Sequence, residues 1–187
     1  MEWDKIVDFI EEVEQLKSTL RTAWTRNGRQ ESTAEHSWRL ALFALTAMPE
    51  FPELNREQVL MLCLVHDLGE LYSGDISAAL NPNADQKFEE EARAMEKMCR
   101  VLPDAQAGTL KALWQEYEDG KTPEAQFVRA LDKAETILQH SQGSNPEDFD
   151  YSFNLHYGED LFTDPRMRKL RKILDRKTEQ RKSEENV

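Results

Sequence analysis

Apolar residues recur at intervals of three and four along most of the chain, which is the spacing of one face of an α-helix. The first twenty residues carry such a series, formed by Ile6, Phe9, Ile10, Val13, Leu16 and Leu20. They predict an amphipathic helix, and the polar residues 27–29 predict a loop after it. Ser32 and Glu35 have the spacing of a capping box, so a second helix should begin there and run to about Met48.

The most apolar stretch of the chain covers residues 59–65 and is followed directly by His66 and Asp67. Its interior is rich in Leu and Met rather than in β-branched residues, which favours a helix over a strand. Asn55 can cap this third helix, and Gly69 should end it just past Asp67. A helix that is apolar on all sides belongs at the centre of a fold.

The rest of the chain is also helical in pattern. Further helices are predicted over about residues 85–102 and 104–118 and from Thr122-Pro123-Glu124, and Asp164-Pro165 should open a final basic helix. No convincing strand alternation or internal repeat is present in the sequence. We therefore predict an all-α fold with one domain, residues 1–160, followed by a C-terminal basic helix or tail, residues 161–187.

Charge and cysteine content limit the functional classes. The 187 residues contain 24 Lys and Arg against 36 Asp and Glu, a net charge of -12, which argues against a nucleic-acid polymer as ligand but leaves a small phosphate ester open. Cys63 and Cys99 do not form a disulfide framework and are expected to be buried small hydrophobes. The N-terminus lacks the pattern of a signal peptide and no apolar run is long enough to span a membrane, so we expect a cytoplasmic protein without membrane contact.

The basic segment of residues 166–182 allows two interpretations. It could contact RNA or an acidic membrane surface, or it could be an ordinary solvated helix or frayed tail. We favour the solvated helix, because the whole chain is strongly acidic and the segment has no interleaved aromatic residues.

Four polar residues occur where the predicted helices are otherwise apolar: His36, His66, Asp67 and Asp132. A carboxylate buried beside an imidazole is costly unless a cation pairs with it, and His66-Asp67 presents this arrangement at the end of a core helix. Taken one at a time, a core histidine or a solvated aspartate needs no special explanation. Together, two imidazoles and two carboxylates can form the first shell of a divalent transition metal with positions open for water.

The motifs around these residues resemble those of the HD-domain phosphohydrolases. They read Glu35-His36-Ser37, then His66-Asp67-Leu68-Gly69-Glu70 continuing to Gly74-Asp75, then Leu131-Asp132-Lys133-Ala134-Glu135. The likeness covers about residues 16–138 and is nearest to the branch of 5'-deoxynucleotidases. The resemblance implies an all-α helical bundle with one metal site at its centre.

By this resemblance His36, His66, Asp67 and Asp132 would hold one divalent metal ion. No further histidine lies between Asp67 and Asp132, where members of the superfamily with two or three metals carry additional ligands, so a single metal is favoured. The mixed nitrogen and oxygen donors suit Co, Mn, Fe, Ni or Zn without selecting among them.

The resemblance also assigns roles outside the metal shell. Glu70 would position or deprotonate the attacking water, Asp75 would accept a hydrogen bond from the sugar hydroxyl, and Arg21 would bind the phosphate. Some family members have a tryptophan directly after this arginine, whereas here Trp24 lies three residues later. Trp24 therefore shapes the sugar pocket or belongs to the core, and the preference for deoxyribose depends on which.

The predicted activity is metal-dependent hydrolysis of nucleoside 5'-monophosphates, with deoxyribonucleotides as the favoured substrates. Two alternatives stay open: another HD hydrolase acting on nucleoside triphosphates, cyclic nucleotides or an alarmone, and a non-catalytic helical module that a metal stabilises. The presence of Glu70 and Asp75 favours an enzyme, because a structural metal needs neither. The resemblance also leads us to expect a homodimer.

Overall fold

The computed structural model describes residues 2–80 and 82–185. Within these ranges the chain forms seven α-helices and one two-stranded hairpin. In chain order these elements are α1 (Trp3–Val13), β1 (Leu20–Trp24), β2 (Gln30–Ser32), α2 (Thr33–Ala47), α3 (Arg56–Val65), α4 (Ala84–Cys99), α5 (Asp104–Asp119), α6 (Pro123–Gln142) and α7 (Pro165–Glu185). Short 3₁₀ segments lie between several of them, and the predicted helical architecture is confirmed.

The segment between α1 and α2 differs from the prediction. The first helix ends at Val13 rather than near residue 20, and Leu20–Trp24 and Gln30–Ser32 pair as an antiparallel hairpin where we expected no strand. Along β1 the side chains alternate between exposed and buried, but the inward positions hold Arg21 and Ala23. A charged residue facing inward removes the apolar alternation by which a strand is recognised.

Local end signals predicted three helix starts correctly. Oγ of Ser32 accepts from the backbone N–H of Glu35 and the Glu35 carboxylate accepts from the backbone N–H of Ser32, which completes the capping box of α2. Asn55 accepts from two backbone N–H groups at the start of α3. Thr122 caps α6, with Pro123 as its first helical residue.

The end of α3 lies earlier than predicted. The helix ends at Val65 with His66 as its C-cap, and Leu68–Leu71 forms a separate 3₁₀ turn. Gly69 lies inside this turn, pressed against α4: a Cβ atom at Gly69 would lie only 2.6 Å from Cβ of Glu91. The glycine therefore permits close packing of the turn on α4, and it does not cap α3.

Helices α2, α3 and α6 pack against one another and form the centre of the core. The side chains that they bury completely include Leu40, Val59, Leu62, Val128, Leu131 and Ile137. Cys63 and Cys99 are free and buried, as predicted. The segments that carry His36, His66 and Asp132 thus meet in the most tightly packed part of the molecule.

Helix α7 packs on α6 and on the 3₁₀ segment Tyr151–Leu155. Its buried side includes Leu174 and Arg171, whose guanidinium donates to the carbonyls of Asn154 and Tyr157. The boundary predicted at residues 160 and 161 stays a prediction. None of the helices in the described ranges combines the length and the apolar character needed to cross a membrane.

Candidate metal centre and cavity

The four predicted ligands converge where α2, α6 and the end of α3 meet. His36 lies in the first turn of α2, His66 and Asp67 follow α3 directly, and Asp132 lies midway along α6. Nε2 of His66 is 3.3 Å from Nε2 of His36 and 3.1 Å from Oδ2 of Asp67. Oδ1 of Asp132 is 3.0 Å from Nε2 of His36. The structure therefore brings all four side chains together.

The outer nitrogen of each histidine faces a fixed acceptor. Nδ1 of His36 lies 2.6 Å from Oε2 of Glu135, and Nδ1 of His66 lies 3.0 Å from the backbone carbonyl of Cys63. A carbonyl or a carboxylate can only accept, so each Nδ1 carries the proton of the neutral imidazole. The Nε2 lone pairs of both rings consequently point toward Asp67 and Asp132.

This arrangement fits a metal ion. In the neutral tautomers the facing atoms, two imidazole nitrogens and the carboxylate oxygens of Asp67 and Asp132, are all acceptors, and acceptors at these distances repel one another without a cation or extra protons among them. His36, His66 and Asp67 place ligand atoms within 4.8 Å of one another. Asp132 lies outside this group of three but next to it, with Oδ1 3.0 Å from Nε2 of His36, while its Oδ2 accepts from the hydroxyl of Tyr117 and from Nζ of Lys133.

The electrostatics of the cluster show the same demand for positive charge. Burial and the Arg21 guanidinium lower the pKa of His36, but Glu135 and Asp132 raise it more, to about 10. Burial raises the pKa of Asp67, but His66 and His36 lower it more, so that its net pKa lies well below the ordinary value. In the absence of metal, a proton on His36 would thus take the place of the cation.

Glu70 lies on the 3₁₀ turn after His66 and Asp67, with only 4% of its side chain exposed. Its Oε2 accepts from Oγ1 of Thr33 at 3.3 Å, and its Oε1 lies 3.6 Å from Nζ of Lys87. Lys87 is itself paired with Glu91 at 2.7 Å. Burial and the neighbouring carboxylates of Asp67 and Asp75 raise the pKa of Glu70 well above its usual value, which suits a carboxylate that takes up a proton.

Arg21 points inward from β1 and is buried beside the ligands. Its Nη1 donates to Oδ2 of Asp67 at 3.4 Å, and its Nη2 donates to Oγ1 of Thr136 at 3.1 Å. Burial lowers the pKa of Arg21, but Asp67, Asp75 and Glu70 raise it more, so the guanidinium stays charged. The hairpin that the sequence pattern missed therefore positions a fixed positive charge beside the predicted metal ligands.

A cavity of about 360 Å³ opens beside the cluster, large enough for a small organic ligand. The predicted site residues among those that line it are Arg21, His66, Asp67, Glu70, Asp75 and Asp132. An adjoining space of about 40 Å³ also has Arg21 and Asp75 in its walls. Asp75, which is half-buried, thus borders both spaces.

Trp24 does not join this group. Its ring packs edge-on against Phe149 at a centroid distance of 6.0 Å, and Trp24 is absent from the described residues that line either space. The geometry therefore favours the second of the two roles considered for Trp24, packing rather than contact with a sugar, so a preference for deoxyribose would have to come from other residues of the cavity.

Sequence reasoning left several residues of the site without a role. Glu135 is the last residue of the third motif; it supports His36 and lies three residues after Asp132, so the helical spacing of the two acids could have indicated this role. Lys87 and Tyr117 come from α4 and α5, and no sequence signal connects them to the motifs. Glu31 on β2 is buried, and its pKa is raised to about 7 by burial and by Glu135.

Comparison with known proteins agrees with this geometry. A family model described as HD domain matches residues 13–171. The 5'-deoxynucleotidase HDDC2 of Bos taurus is 38% identical over 139 residues, which cover 73% of this chain and 67% of the bovine protein. The 5'-deoxynucleotidase hdd1 of Schizosaccharomyces pombe is 37% identical over 140 residues, which cover 72% of this chain and 70% of the yeast protein.

Solved structures show the same fold. A predicted metal-dependent phosphohydrolase from Magnetospirillum magnetotacticum MS-1 superposes with a TM-score of 0.76 at 27% identity, covering 96% of this chain and 95% of the other. A conserved hypothetical protein from Pyrococcus furiosus gives a TM-score of 0.66 at 28% identity, covering 91% and 98% of the two chains. On the family match, these relatives and the convergence of its motifs, the chain belongs to the HD-domain family.

Proposed function

We propose that this protein hydrolyses nucleoside 5'-monophosphates, with deoxyribonucleotides preferred, to a nucleoside and inorganic phosphate. The observation that carries the proposal is that a buried guanidinium, that of Arg21, and the carboxylates of Glu70 and Asp75 share one cavity with the acceptor cluster. A structural metal would need none of these three groups. The family match and the relatives named 5'-deoxynucleotidase support a hydrolase with a nucleotide substrate.

The residues that would hold the metal are His36, His66, Asp67 and Asp132. A divalent ion held by these four residues would lower the pKa of a coordinated water and would polarise a phosphoryl oxygen. Co, Mn, Fe, Ni and Zn all suit these donors, and the choice among them is part of the test below.

The protein groups divide the remaining work. Arg21 binds the phosphate through charge-assisted hydrogen bonds, and the buried guanidinium loses little freedom when it does so. Glu70 takes the proton of the water whose oxygen attacks phosphorus, and it passes that proton to the 5'-oxygen as the bond from phosphorus to this oxygen breaks, which gives the nucleoside hydroxyl. The phosphoryl group passes directly to water, so this route needs no serine or cysteine nucleophile.

Asp75 would select the nucleoside. Its carboxylate borders both the main cavity and the small adjoining space, so it can accept a hydrogen bond from a sugar hydroxyl of a substrate whose phosphate lies at Arg21. Assembly as a homodimer and a cytoplasmic location stay predictions from the sequence.

The proposal is tested by phosphate release from a panel of nucleoside mono-, di- and triphosphates in ribo and deoxy forms. The protein is first stripped with a chelator and then reconstituted with each divalent metal separately. We expect release from monophosphates, with deoxy forms turned over faster. Absence of monophosphate hydrolysis under every metal would refute the proposal, and activity confined to triphosphates would favour another HD hydrolase.

Asp75→Asn tests the role of Asp75 in recognition of the sugar, with a generic aryl phosphate as the control substrate. It should raise the KM for deoxynucleoside monophosphates and leave hydrolysis of a generic aryl phosphate nearly unchanged, because the aryl ester has no sugar hydroxyl to recognise. Equal losses on both substrates would contradict the role given to Asp75.

A further inference from the structure

Glu31 is a buried carboxylate for which neither the sequence motifs nor the proposed mechanism gives a role. It lies on β2 with 4% of its side chain exposed, and its Oε2 is 3.5 Å from Nε of Arg21 on the paired strand β1. Among the described residues neither of these two atoms has a hydrogen-bond partner. A buried carboxylate oxygen without a hydrogen bond is costly, so the position of Glu31 opposite a guanidinium calls for an explanation.

Glu31 belongs to a layer of charges behind the metal cluster. An oxygen of its carboxylate, a ring nitrogen of His36 and a carboxylate oxygen of Glu135 all lie within 4.8 Å of one another. Nη1 of Arg39 is 3.0 Å from Oε1 of Glu135. Two ion pairs thus lie there. Glu135, paired with Arg39, contacts His36, and Glu31 lies opposite the guanidinium of Arg21, which faces the cavity.

The donors of Arg21 can be counted. A guanidinium has five N–H groups, one on Nε and two on each terminal nitrogen. Nε faces Glu31, one N–H of Nη1 points to Asp67, and one N–H of Nη2 points to Thr136. One N–H therefore remains on each terminal nitrogen, and two oxygens of one phosphate can accept that pair.

From this arrangement we infer that Glu31 is a positioning residue for phosphate binding: it faces the Nε edge of Arg21, so that the terminal nitrogens are left for the phosphate. The inference rests on the proposed function in that it takes Arg21 as the phosphate ligand. Glu31 does not touch the substrate in this role and acts only through the guanidinium.

Removal of the Glu31 carboxylate should change the affinity for phosphate in a direction that depends on the role of Glu31. If Glu31 contributed only its negative charge, its removal would reduce repulsion of the phosphate and tighten binding. If Glu31 holds the guanidinium in place, its removal frees the arginine and weakens binding, because a bidentate contact depends on orientation. The two roles thus give opposite results for the same substitution.

The test is Glu31→Gln, which keeps the shape of the side chain and removes its charge. Binding of inorganic phosphate to the metal-loaded protein is measured by calorimetry at about pH 8, well above the ordinary pKa of a glutamate carboxyl. We expect the Kd for phosphate and the KM for a deoxynucleoside monophosphate to rise about tenfold, with a smaller change in kcat. Metal content and the unfolding midpoint are measured in parallel. Glu31→Asp keeps the charge and should weaken phosphate binding less than Glu31→Gln does. It replaces Glu31→Gln in the test if that variant does not fold.

A double-mutant cycle with Arg21→Lys separates the inference from the proposed function. Lysine has no Nε edge, so Glu31→Gln should have little effect on phosphate binding in that background. Tighter or unchanged phosphate binding in Glu31→Gln, or the same loss in both backgrounds, would overturn the inference alone. Unchanged phosphate binding in Arg21→Lys by itself would overturn the assignment of Arg21 and the inference with it.

Discussion

Glu135 and His36 are joined by the contact from Oε2 to Nδ1 at 2.6 Å, on the side of the ring away from the other ligands. Carboxylates in this position orient a ligating imidazole and increase its basicity. We therefore predict that Glu135→Gln lowers the affinity for the activating metal by about 10- to 100-fold. Metal content after dialysis against graded concentrations of free metal measures the change.

Glu91→Gln is the matched control for this prediction. Glu91 is also a buried glutamate, but its partner is Lys87 rather than a proposed ligand. Its substitution should leave metal affinity unchanged. Equal loss of metal in both variants would mean that burial of charge, and not support of His36, accounts for the effect of Glu135.

Glu70→Gln should separate catalysis from metal binding. The amide keeps the size of the side chain but cannot take a proton from water, so we expect kcat to fall by about 100- to 10,000-fold. Metal content should stay normal, because Glu70 contacts Thr33 and Lys87 rather than the ligand cluster. Loss of metal together with activity would show that Glu70 is a ligand instead.

Gly69→Ala should destabilise the protein through a steric clash. The added Cβ would lie 2.6 Å from Cβ and 3.2 Å from Cα of Glu91, so the turn that carries Glu70 would have to move away from α4. We expect a loss of about 1–3 kcal/mol in the free energy of unfolding, measured by urea denaturation.

Gly108→Ala is the corresponding control, since a Cβ atom at Gly108 in α5 meets nothing within 4 Å. Alanine in the interior of a helix should raise stability by up to about 1 kcal/mol. If both substitutions changed stability in the same direction, the clash at Gly69 would not be the cause.

His140 should make stability depend on pH. Burial lowers its pKa below the ordinary value, and Nδ1 donates to Oδ1 of Asn154 at 2.7 Å. The unfolded chain therefore takes up a proton at a higher pH than the folded protein does, and stability is lost as the pH falls through the unfolded pKa of about 6.5. Urea unfolding in steps from about pH 7.5 to about pH 5 should show a smaller loss for His140→Gln than for the wild type. If the free energy of unfolding depended on pH equally in the wild type and in His140→Gln, His140 would not be the cause of the loss.

Trp24→Leu distinguishes packing from substrate recognition. Because the ring rests on Phe149, we expect a loss of about 1–3 kcal/mol in the free energy of unfolding. The ratio of kcat/KM for deoxy and ribo monophosphates should not change. A shift in that ratio without loss of stability would show that Trp24 contacts the sugar of the substrate.

The sequence predicted those parts of the site that depend on local signals. The capping box of Ser32 and Glu35 fixes the start of α2 and so places His36 in its first turn. The proline after Thr122 fixes α6 and with it the register of Asp132. Both signals act over a few residues, so they can be recognised without knowledge of the fold.

The features of the site that the sequence pattern did not predict depend on contacts between distant segments of the chain. Arg21 occupies an inward position of a strand only because Asp67 and Thr136 accept its hydrogen bonds from elsewhere in the chain. Gly69 was expected to end a helix, whereas its role follows from the approach of Glu91 on α4. Neither partner is visible in a local pattern, since each lies many residues away in the sequence.

The separation of the ligands along the chain has a consequence for the protein in the cell. His36 and Asp132 lie 96 residues apart and become neighbours only when α2 and α6 pack together. The unfolded chain cannot reproduce this site, so above the Kd each tenfold increase in free metal should stabilise the native state by about 1.4 kcal/mol. A shortage of the metal would therefore reduce the amount of folded enzyme as well as its turnover, and the abundance of this protein would follow metal supply.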